Sequence, residues 1–261
     1  MPTTLVSWNL KGSGNPDTAA VAEHIRSEGA DLVALQEVQW HQARRIARAL
    51  GATSRRWSFK HFPGRTWHEG MAVIGVTGPV HARTRALSHG WRVWSWRRRI
   101  AQRAMVATPQ GPLTLVNLHL TPHGEAAQRE VEAAKVLAMV DPLAGPVLAV
   151  GDFNERPGGP VARQMAAAGL RDGWQQPSEA ATGTDEPPTD PFPTNWRGWR
   201  RGTTTVPSRQ IDYVYVSPAV RSVEVRVPRP GDDGLVRFSA ISDHLPLTAV
   251  LDFGSGRDGL P

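Results

Sequence analysis

Short apolar stretches alternate along the chain with amphipathic stretches, and glycine, proline or polar turn residues separate them. The apolar stretches are too short for most helices and predict strands at residues 4–8, 32–35, 70–76, 101–108, 113–118, 146–150, 210–216 and after Pro246. Amphipathic patterns predict helices at residues 18–28, 41–50 and 125–139. Residues 171–208 are rich in Pro, Gly and Thr and predict a long loop, because a core strand follows them.

The first predicted strand, helix and strand form a crossover unit. Asn9 follows the first strand directly, and Glu37 lies at the end of the second. A right-handed crossover places both residues at the same edge of a sheet. A carboxylate there can be only a helix cap or an ion-pair partner. Beside an Asn and further carboxylates, however, Glu37 is better interpreted as a ligand of a hard cation.

Asp152 and Asn154 stand where the apolar run 146–150 gives way to the Gly- and Pro-rich stretch 155–160. This pattern predicts a central strand that delivers a carboxylate and a carboxamide to the rim of a sheet. An Asx-turn, in which the two side chains hydrogen-bond their own loop, explains the same residues. The neighbouring strand ends favour the first interpretation.

Three further strand ends carry groups of the same chemistry. His119 ends the second strand of a predicted hairpin and shares a face with Asn117, although a lone histidine can also be a satisfied core residue. Asp212 lies in an alternating strand, on the face opposite Tyr213. The dipeptide Asp243-His244 precedes the last apolar strand.

Carboxylates, carboxamides and two histidines that converge at strand ends suit metal-assisted attack on a phosphate. Hard oxygen ligands hold Mg²⁺, an Asp orients the attacking water, and a His moves a proton or stabilises charge. The sequence has neither a nucleophilic serine elbow nor a phosphate-binding Gly-x-x-x-x-Gly-Lys loop.

The composition restricts the chemistry of the site and the cellular location that we expect. The chain has no Cys, which excludes disulfides and thiolate chemistry, so a metal must be bound by oxygen and nitrogen ligands. No apolar run reaches the length of a membrane span, and because Met1 is followed directly by a strand-like stretch without a basic and then apolar segment, we expect no export signal. We expect a cytoplasmic monomer without an evident protein partner, with one domain at residues 1–253 and a disordered tail at 254–261.

The charge is distributed unevenly. Between Val38 and Gly124 there are 14 Lys or Arg residues and one acidic residue, Glu69, whereas the remainder has 16 basic and 23 acidic residues. Such a segment suits a polyanionic partner, although a solvated basic face gives the same composition.

Residues 91–99 combine tryptophan with arginine. In a strand, Arg92, Trp94, Trp96 and Arg98 would share one face. This strip could stack on nucleic-acid bases, enter lipid headgroups, or consist of surface Trp residues with Arg stacked on them. We interpret the strip as substrate-binding, through Arg92, Trp94, Trp96, Arg97, Arg98 and Arg99.

The ordered set of motifs resembles the endonuclease/exonuclease/phosphatase superfamily, which has a DNase-I-like fold. The matching stretches are Ser7-Trp8-Asn9, Leu35-Gln36-Glu37-Val38, Asn117-Leu118-His119-Leu120, Gly151-Asp152-Phe153-Asn154, Ile211-Asp212-Tyr213 and Ser242-Asp243-His244-Leu245-Pro246. The resemblance implies a four-layer α/β sandwich, with two packed mixed or mostly antiparallel sheets flanked by helices. It also implies a phosphodiesterase or phosphatase that depends on Mg²⁺ or Mn²⁺.

The resemblance further implies roles for the matching residues. Asn9 and Glu37 would hold the metal, and Asp243 would complete or adjoin that site. Asp152 and Asn154 would position the nucleophile and the scissile phosphate. His244 paired with Asp212, together with His119, would serve the phosphate and the proton transfers.

Two departures concern the branch and its substrate. His119-Leu120 stands where the AP-endonuclease branch carries Tyr, so the chain is more similar to the branch with His there, which includes DNase I and sphingomyelinases. Gln39 and Val76-Thr77 differ from the substrate-contacting residues of DNase I. The expected function is hydrolysis of nucleic acid by an endonuclease or exonuclease. The alternatives are a phospholipid phosphodiesterase and a phosphatase of a small substrate.

Overall fold

The computed structural model describes residues 1–61, 69–88, 98–122, 124–174, 193–196, 199–203, 207–228 and 234–254. The strands are β1 Thr3–Asn9, β2 Leu32–Gln39, β3 Ser54–His61, β4 Glu69–Gly75, β5 Val80–Ala86, β6 Ile100–Thr108, β7 Gly111–His119, β8 Val147–Asp152, β9 Arg171–Asp172, β10 Asp212–Val216, β11 Ser222–Arg226 and β12 Leu247–Asp252. The helices are α1 Thr18–Ser27, α2 Trp40–Ala49, α3 Ala126–Leu137, α4 Pro160–Ala167 and α5 Gly234–Ile241.

The strands form two mixed sheets of six strands each. The first has the order β11-β12-β1-β2-β4-β3, and the second has the order β5-β6-β7-β8-β10-β9. The pairs β1–β2 and β7–β8 are parallel and lie inside their sheets, and the other pairs are antiparallel. Helix α1 connects β1 to β2, and helix α3 connects β7 to β8. Each crossover places the carboxyl ends of its two strands at the same edge of the sheet.

Three apolar cores separate four layers. One core lies between the two sheets and contains Leu5, Val73 and Leu115. A second core packs Val6 and Trp8 of the first sheet against residues of α1, α2 and α5. The third packs the second sheet against α3 and α4. The predicted α/β sandwich is therefore confirmed, and a central strand such as β8 reads as an apolar run because both of its faces are covered.

The capping residues explain where the first helices begin. The Asp17 carboxylate accepts hydrogen bonds from the backbone N–H groups of Ala19 and Ala20, as expected for an N-cap. Gln39 and Gln42 form a capping box at α2. Within the described residues, no helix is long and apolar enough to cross a membrane. The predicted disordered tail falls, after Gly254, outside the described residues.

Candidate active site

Strand ends from both sheets meet at one edge of the sandwich. In the first sheet, Asn9 of β1 lies opposite Gln36 of β2. In the second, Asp152 of β8 lies opposite His119 of β7 on one side and Asp212 of β10 on the other. The structure thus brings together Asn9, Glu37, His119, Asp152, Asp212 and His244.

A β-bulge turns Glu37 toward the site. The register between β2 and β4 shifts between Leu35 and Val38, and Glu37 adopts a positive φ of 49°. A bulge redirects a side chain, and a non-glycine residue at positive φ is held there by its surroundings. Gly12 provides part of that support, because a Cβ at this position would lie 2.5 Å from the Glu37 carbonyl oxygen.

Asp152 uses its two carboxylate oxygens differently. Oδ1 accepts a hydrogen bond from the backbone N–H of Asn154 at 2.9 Å, so the Asx-turn is present. Oδ2 accepts one from Asn9 Nδ2 at 3.1 Å and lies 3.6 Å and 3.7 Å from Nε2 of His119 and His244. Asp152 therefore takes part both in the local Asx-turn and in the contacts of the site.

Burial raises the pKa of Asp152 to about 7. The carboxylates of Asp212 and Glu37 add to the increase, while His244 opposes it. Burial also raises the pKa of Glu37, and the nearby Glu69 adds to it. The site therefore concentrates negative charge in a place with little water.

Asn154 is fixed beside Asp152 by the turn that follows β8. Its φ is 52°, and its Nδ2 donates to the Leu120 carbonyl at 3.1 Å. Gly151, at φ 131°, precedes this turn, and a Cβ there would approach the Leu118 carbonyl oxygen to 2.1 Å. Because only glycine allows this approach of β8 to β7, Gly151 helps to set the position of Asp152 against His119.

His244 and Asp212 form a buried ion pair. His244 Nδ1 lies 2.9 Å and 3.2 Å from the two Asp212 carboxylate oxygens. Burial alone would lower the pKa of His244, but the Asp212 carboxylate outweighs this effect and raises the pKa to about 10. Nε2 is thereby directed toward Asp152.

Asp243 lies beside this pair and contacts Lys11. The Lys11 ammonium donates to Asp243 Oδ2 at 2.7 Å and lies 4.6 Å from the centroid of the Trp199 ring. The backbone N–H of Lys11 donates to Asn9 Oδ1 at 3.1 Å. Asn9 and Asp243 are therefore linked through one basic residue at the rim.

The oxygen donors at this rim fit a hard divalent cation. The Asp243 carboxylate raises the pKa of Glu37, and the Glu37 carboxylate raises that of Asp152, so a cation would relieve their repulsion. The assignment of Asn9, Glu37 and Asp243 as metal ligands stays a prediction.

A second group also has metal-ligand spacing. Asp152, Asp212 and His244 each present one ligand atom, and these atoms lie within 4.8 Å of one another. This buried group could hold an ion as well. The direct contact of His244 with Asp212 is that of an ion pair, which favours the Glu37 group for Mg²⁺.

Lys60 and Glu69 also lie at the site, although the sequence pattern did not predict them there. Lys60, on the edge strand β3, is 2% exposed, and its ammonium donates to Glu69 Oε1 at 2.7 Å. The same ammonium lies 3.4 Å from Nδ1 of His119. Glu69 could have been found as the single acidic residue of the basic segment, whereas nothing in the sequence distinguishes Lys60 from its solvated neighbours.

Backbone support for the Asp243-His244 dipeptide was also missed. Asn195 Nδ2 donates to the Asp243 carbonyl at 3.0 Å, and Asn195 forms a β-bridge with His244. Ser242 Oγ donates to the Asn9 carbonyl at 2.6 Å and accepts from the His244 N–H at 3.2 Å. Part of the predicted long loop therefore positions the Asp243-His244 dipeptide.

Most of the predicted Trp/Arg strip, residues 91–97 with Arg92, Trp94, Trp96 and Arg97, lies outside the described residues. The guanidinium of Arg98 donates to the carbonyls of Phe59 and Lys60 at 3.3 Å and 2.7 Å. Arg99 is only 3% exposed. The substrate-binding role of the strip stays a prediction.

Gln39, a departure from the DNase I pattern, has a structural contact. Its Nε2 donates to the Gly12 carbonyl at 3.2 Å, and Gln42 donates to the same oxygen at 3.0 Å. Thr77, the other departure, donates to Asp31 Oδ1 at 3.0 Å. In the structure the Gln39 side chain therefore binds a backbone carbonyl, and the Thr77 side chain binds the Asp31 carboxylate.

Comparison with known structures gives the same fold. An endonuclease/exonuclease/phosphatase from Beutenbergia cavernae DSM 12333 has a TM-score of 0.73 and 23% identity, over 97% of this chain and 72% of that one. The catalytic domain of human Nocturnin with a bound sulfate anion has a TM-score of 0.68 and 19% identity, over 97% and 93%. A mannosyl-6-phosphatase from Bacteroides thetaiotaomicron VPI-5482 has a TM-score of 0.66 and 18% identity, over 96% and 100%.

Comparison with single curated sequences and comparison with family profiles give different results. No curated protein sequence matches the chain significantly. The Endonuclease/Exonuclease/phosphatase family profile, in contrast, matches residues 6–244, which include every candidate site residue named above. The chain therefore belongs to the Endonuclease/Exonuclease/phosphatase family, as its ordered motifs predicted.

Proposed function

We propose that the protein is a divalent-metal-dependent phosphodiesterase that hydrolyses nucleic acid. The observation that carries the proposal is the position of Asp152 Oδ2 between Nε2 of His119 and His244, at 3.6 Å and 3.7 Å. A carboxylate with two imidazoles suits the activation of water and the stabilisation of charge on a phosphoryl group. The basic segment between Val38 and Gly124 favours a polyanionic substrate over a small one.

Glu37, with Asn9 and Asp243, would hold Mg²⁺ or Mn²⁺. A bound ion at this place would polarise a phosphoryl oxygen and neutralise charge that develops during the reaction. The chain prepares that position through the bulge at Glu37 and the contacts of Asn9 with Asp152 and Lys11.

The remaining residues act on the water and the phosphate. Asp152 orients the attacking water, and Asn154 lies beside it to contact the scissile phosphate. His244, held by Asp212, donates a hydrogen bond to a phosphoryl oxygen. The Lys60 ammonium at 3.4 Å from His119 Nδ1 favours the tautomer with the proton on Nε2, which faces Asp152.

A phosphatase acting on a small substrate is the second candidate. The similar mannosyl-6-phosphatase structure favours it, because that protein shares the fold at 18% identity over 96% of this chain. A phospholipid phosphodiesterase is the remaining alternative and would use the tryptophans of residues 91–99 as a membrane contact.

A substrate panel tests the proposal. We expect hydrolysis of single-stranded or duplex DNA or RNA, no hydrolysis in excess chelator, and recovery with Mg²⁺ or Mn²⁺. Glu37→Gln should weaken metal binding measured by calorimetry while the thermal unfolding temperature is retained. Glu23→Gln, on the exposed side of α1 with 68% of its side chain accessible, is the matched control.

The panel also includes short-chain phosphatidylcholine, an inositol phosphate and a sugar 6-phosphate. Full activity after chelation would overturn the metal assignment. Turnover of a sugar phosphate or a phospholipid without turnover of any polynucleotide would replace the nucleic-acid assignment. Loss of metal binding in Asp212→Asn but not in Glu37→Gln would move the ion to the Asp152, Asp212 and His244 group.

A further inference from the structure

A second cleft lies on the side of the sandwich, where edge strand β3 of one sheet meets edge strand β5 of the other. Its volume is about 620 Å³, within the range of ligand sites. It is lined by Arg56, His81, Ala82, Arg83, Arg103 and Met105, which include no acidic residue. We refer to it as the arginine cleft.

Two arginines of the cleft are cross-strand neighbours. Arg83 of β5 lies directly opposite Arg103 of β6, so both side chains project from the same face of the sheet. Like charges in this arrangement destabilise a strand pair, and arginine does not lose its proton to relieve the repulsion. Arg103 Nε is in addition buried without a hydrogen-bond partner in the structure. An anion in the cleft would compensate both features.

The third arginine comes from the other sheet and is held in place by a polar contact between the two edges. Gln102 donates to the Arg56 carbonyl at 3.3 Å and to Ser58 Oγ at 2.7 Å. Ser58 Oγ in turn lies 2.5 Å from Thr84 Oγ1 of β5. The three arginines therefore line one concave surface at the junction of the two sheets, where Arg56 and Arg83 are exposed and Arg103 is partly buried.

The strand register gives the separation of this cleft from the catalytic site. Arg103 lies opposite Val116, three residues before His119 on the neighbouring strand. At about 3.3 Å per residue and about 4.8 Å per strand, the cleft is roughly 11–14 Å from His119. Arg103 projects from the outer face of its sheet, because the side chain of the preceding Gln102 points between the sheets to Ser58. A nucleic-acid strand of several nucleotides can extend around edge strand β5 from the cleft to His119, whereas a small phosphate ester cannot reach both places.

We propose that the arginine cleft binds a backbone phosphate of the polynucleotide whose scissile phosphate lies at Asp152. Arginine suits this ligand because its planar guanidinium donates two parallel hydrogen bonds to phosphate oxygens. This inference rests on the proposed function and adds a second contact with the same polymer. It also predicts that substrate length controls affinity.

The first test measures binding without turnover. A fluorescent 20-nucleotide single-stranded DNA is titrated by anisotropy in excess chelator over a range of salt concentrations. The double substitution of Arg83→Ala with Arg103→Ala should weaken binding roughly tenfold or more and flatten the slope of log affinity against log salt by about 1.4. Arg45→Ala with Arg48→Ala removes the same charge from the exposed side of α2 and should have a smaller effect.

A single charge reversal separates ligand binding from folding. Arg83→Glu places a carboxylate opposite Arg103, which should raise the thermal unfolding temperature because attraction replaces repulsion. The same variant should bind the 20-nucleotide DNA more weakly. A lower unfolding temperature together with unchanged DNA affinity would overturn the proposal.

Turnover data distinguish this inference from the proposed function. If the protein cleaves polynucleotides, the Arg83→Ala, Arg103→Ala variant should lose kcat/KM on a 20-mer and keep it on a dinucleotide. If the protein cleaves no polynucleotide yet binds the 20-mer through the cleft, the proposed function fails, and the cleft remains a polynucleotide-binding site without a scissile phosphate at Asp152. Equal competition by inorganic phosphate and by the 20-mer, at the same phosphate concentration, would instead indicate a site for a free anion. Binding of the cleft to anionic phospholipid vesicles but not to the 20-mer would also overturn the assignment.

Discussion

The Asp212 carboxylate that faces His244 sets the orientation of its imidazole ring. His244 Nδ1 is 2.9 Å from Asp212, and its Nε2 is thereby directed at Asp152 Oδ2, 3.7 Å away. The Trp8 indole donates a hydrogen bond to the His244 carbonyl at 2.8 Å, and the Ser242 hydroxyl oxygen accepts one from the His244 N–H. Backbone and imidazole are both fixed, so the ring is oriented before substrate binds.

The first prediction concerns this pair. His244→Ala should reduce kcat by about 10²–10⁴, the usual contribution of a positioned acid or base. Asp212→Asn should reduce kcat less, because the imidazole remains but is no longer held as an ion pair. The double variant should be little slower than His244→Ala, because the role of Asp212 acts through His244. Steady-state rates at saturating substrate measure all three variants.

Circular dichroism at working temperature verifies that each variant of this cycle is folded. Fully additive losses in kcat would show that the two residues act independently. In that case the hydrogen bond seen in the structure would have no catalytic role.

The residues that the sequence revealed share one property, which is their position at the end of an apolar run. Asn9, Asp152 and Asp212 stand out because a polar group directly follows or interrupts buried residues. Lys60 lies equally close to the site, but its strand has polar and charged neighbours, so the pattern does not show its burial. Burial of Lys60 arises from the contact with Glu69 and His119, which only the folded chain brings together.

At the scale of elements, the strands inside the sheets were predicted and several strands at the edges were not. The central strands read as apolar because both faces are covered, whereas β5 and β11 expose many residues to solvent and most described side chains of β3 are only partly buried. An edge strand forms backbone hydrogen bonds with its one neighbouring strand whatever its own side-chain composition. The hydrophobic pattern therefore does not reveal such a strand. The helices α4 and α5 were also not predicted, although Pro160 at the first turn of α4 was a usable signal.

The short strand β9 provides a prediction about stability. Burial raises the pKa of Asp172 to about 6, although its Oδ1 accepts a hydrogen bond from the Trp174 N–H at 3.0 Å. Asp172→Asn retains the acceptor and removes the charge. At pH 7.5 the variant should therefore be more stable than the parent protein by about 1–3 kcal/mol in urea unfolding.

The direction of this effect with pH follows from the raised pKa. The folded protein binds the Asp172 proton more tightly than the unfolded chain, so its contribution is fully present below about pH 4 and is lost as the pH rises through about 6. The difference between variant and parent should thus be small near pH 4 and should grow up to about pH 7. A difference that is constant over this range would show that Asp172 is not the titrating group.

At the scale of the whole molecule, the candidate site depends on the alignment of two sheets. Asn9 and Glu37 belong to one sheet, whereas His119, Asp152 and Asp212 belong to the other. Below the site, Asn117 of the second sheet accepts a hydrogen bond from Gln36 at 2.8 Å. Its Nδ2 lies 3.1 Å from the carbonyls of Leu35 and Ala72 and from Gln102 Oε1. These bonds connect the sheets within an otherwise apolar core.

Replacement of this residue tests whether the polar connection sets the site geometry. Asn117→Leu has a similar volume but removes one acceptor of the Gln36 amide, which keeps Ser7 Oγ and the Ala34 carbonyl, and removes the donor to Gln102 Oε1. Each buried group that loses its partner in this way costs about 1–3 kcal/mol. The free energy of unfolding in urea should fall by about 2–5 kcal/mol, whereas Thr114→Val on the outer face of the same strand should change it by less than about 0.5 kcal/mol. Because the sheets can then shift against each other, kcat should also fall at a temperature where Asn117→Leu is fully folded. An unchanged kcat in the folded variant would mean that apolar packing alone aligns the two sheets and that the amide connection contributes only stability.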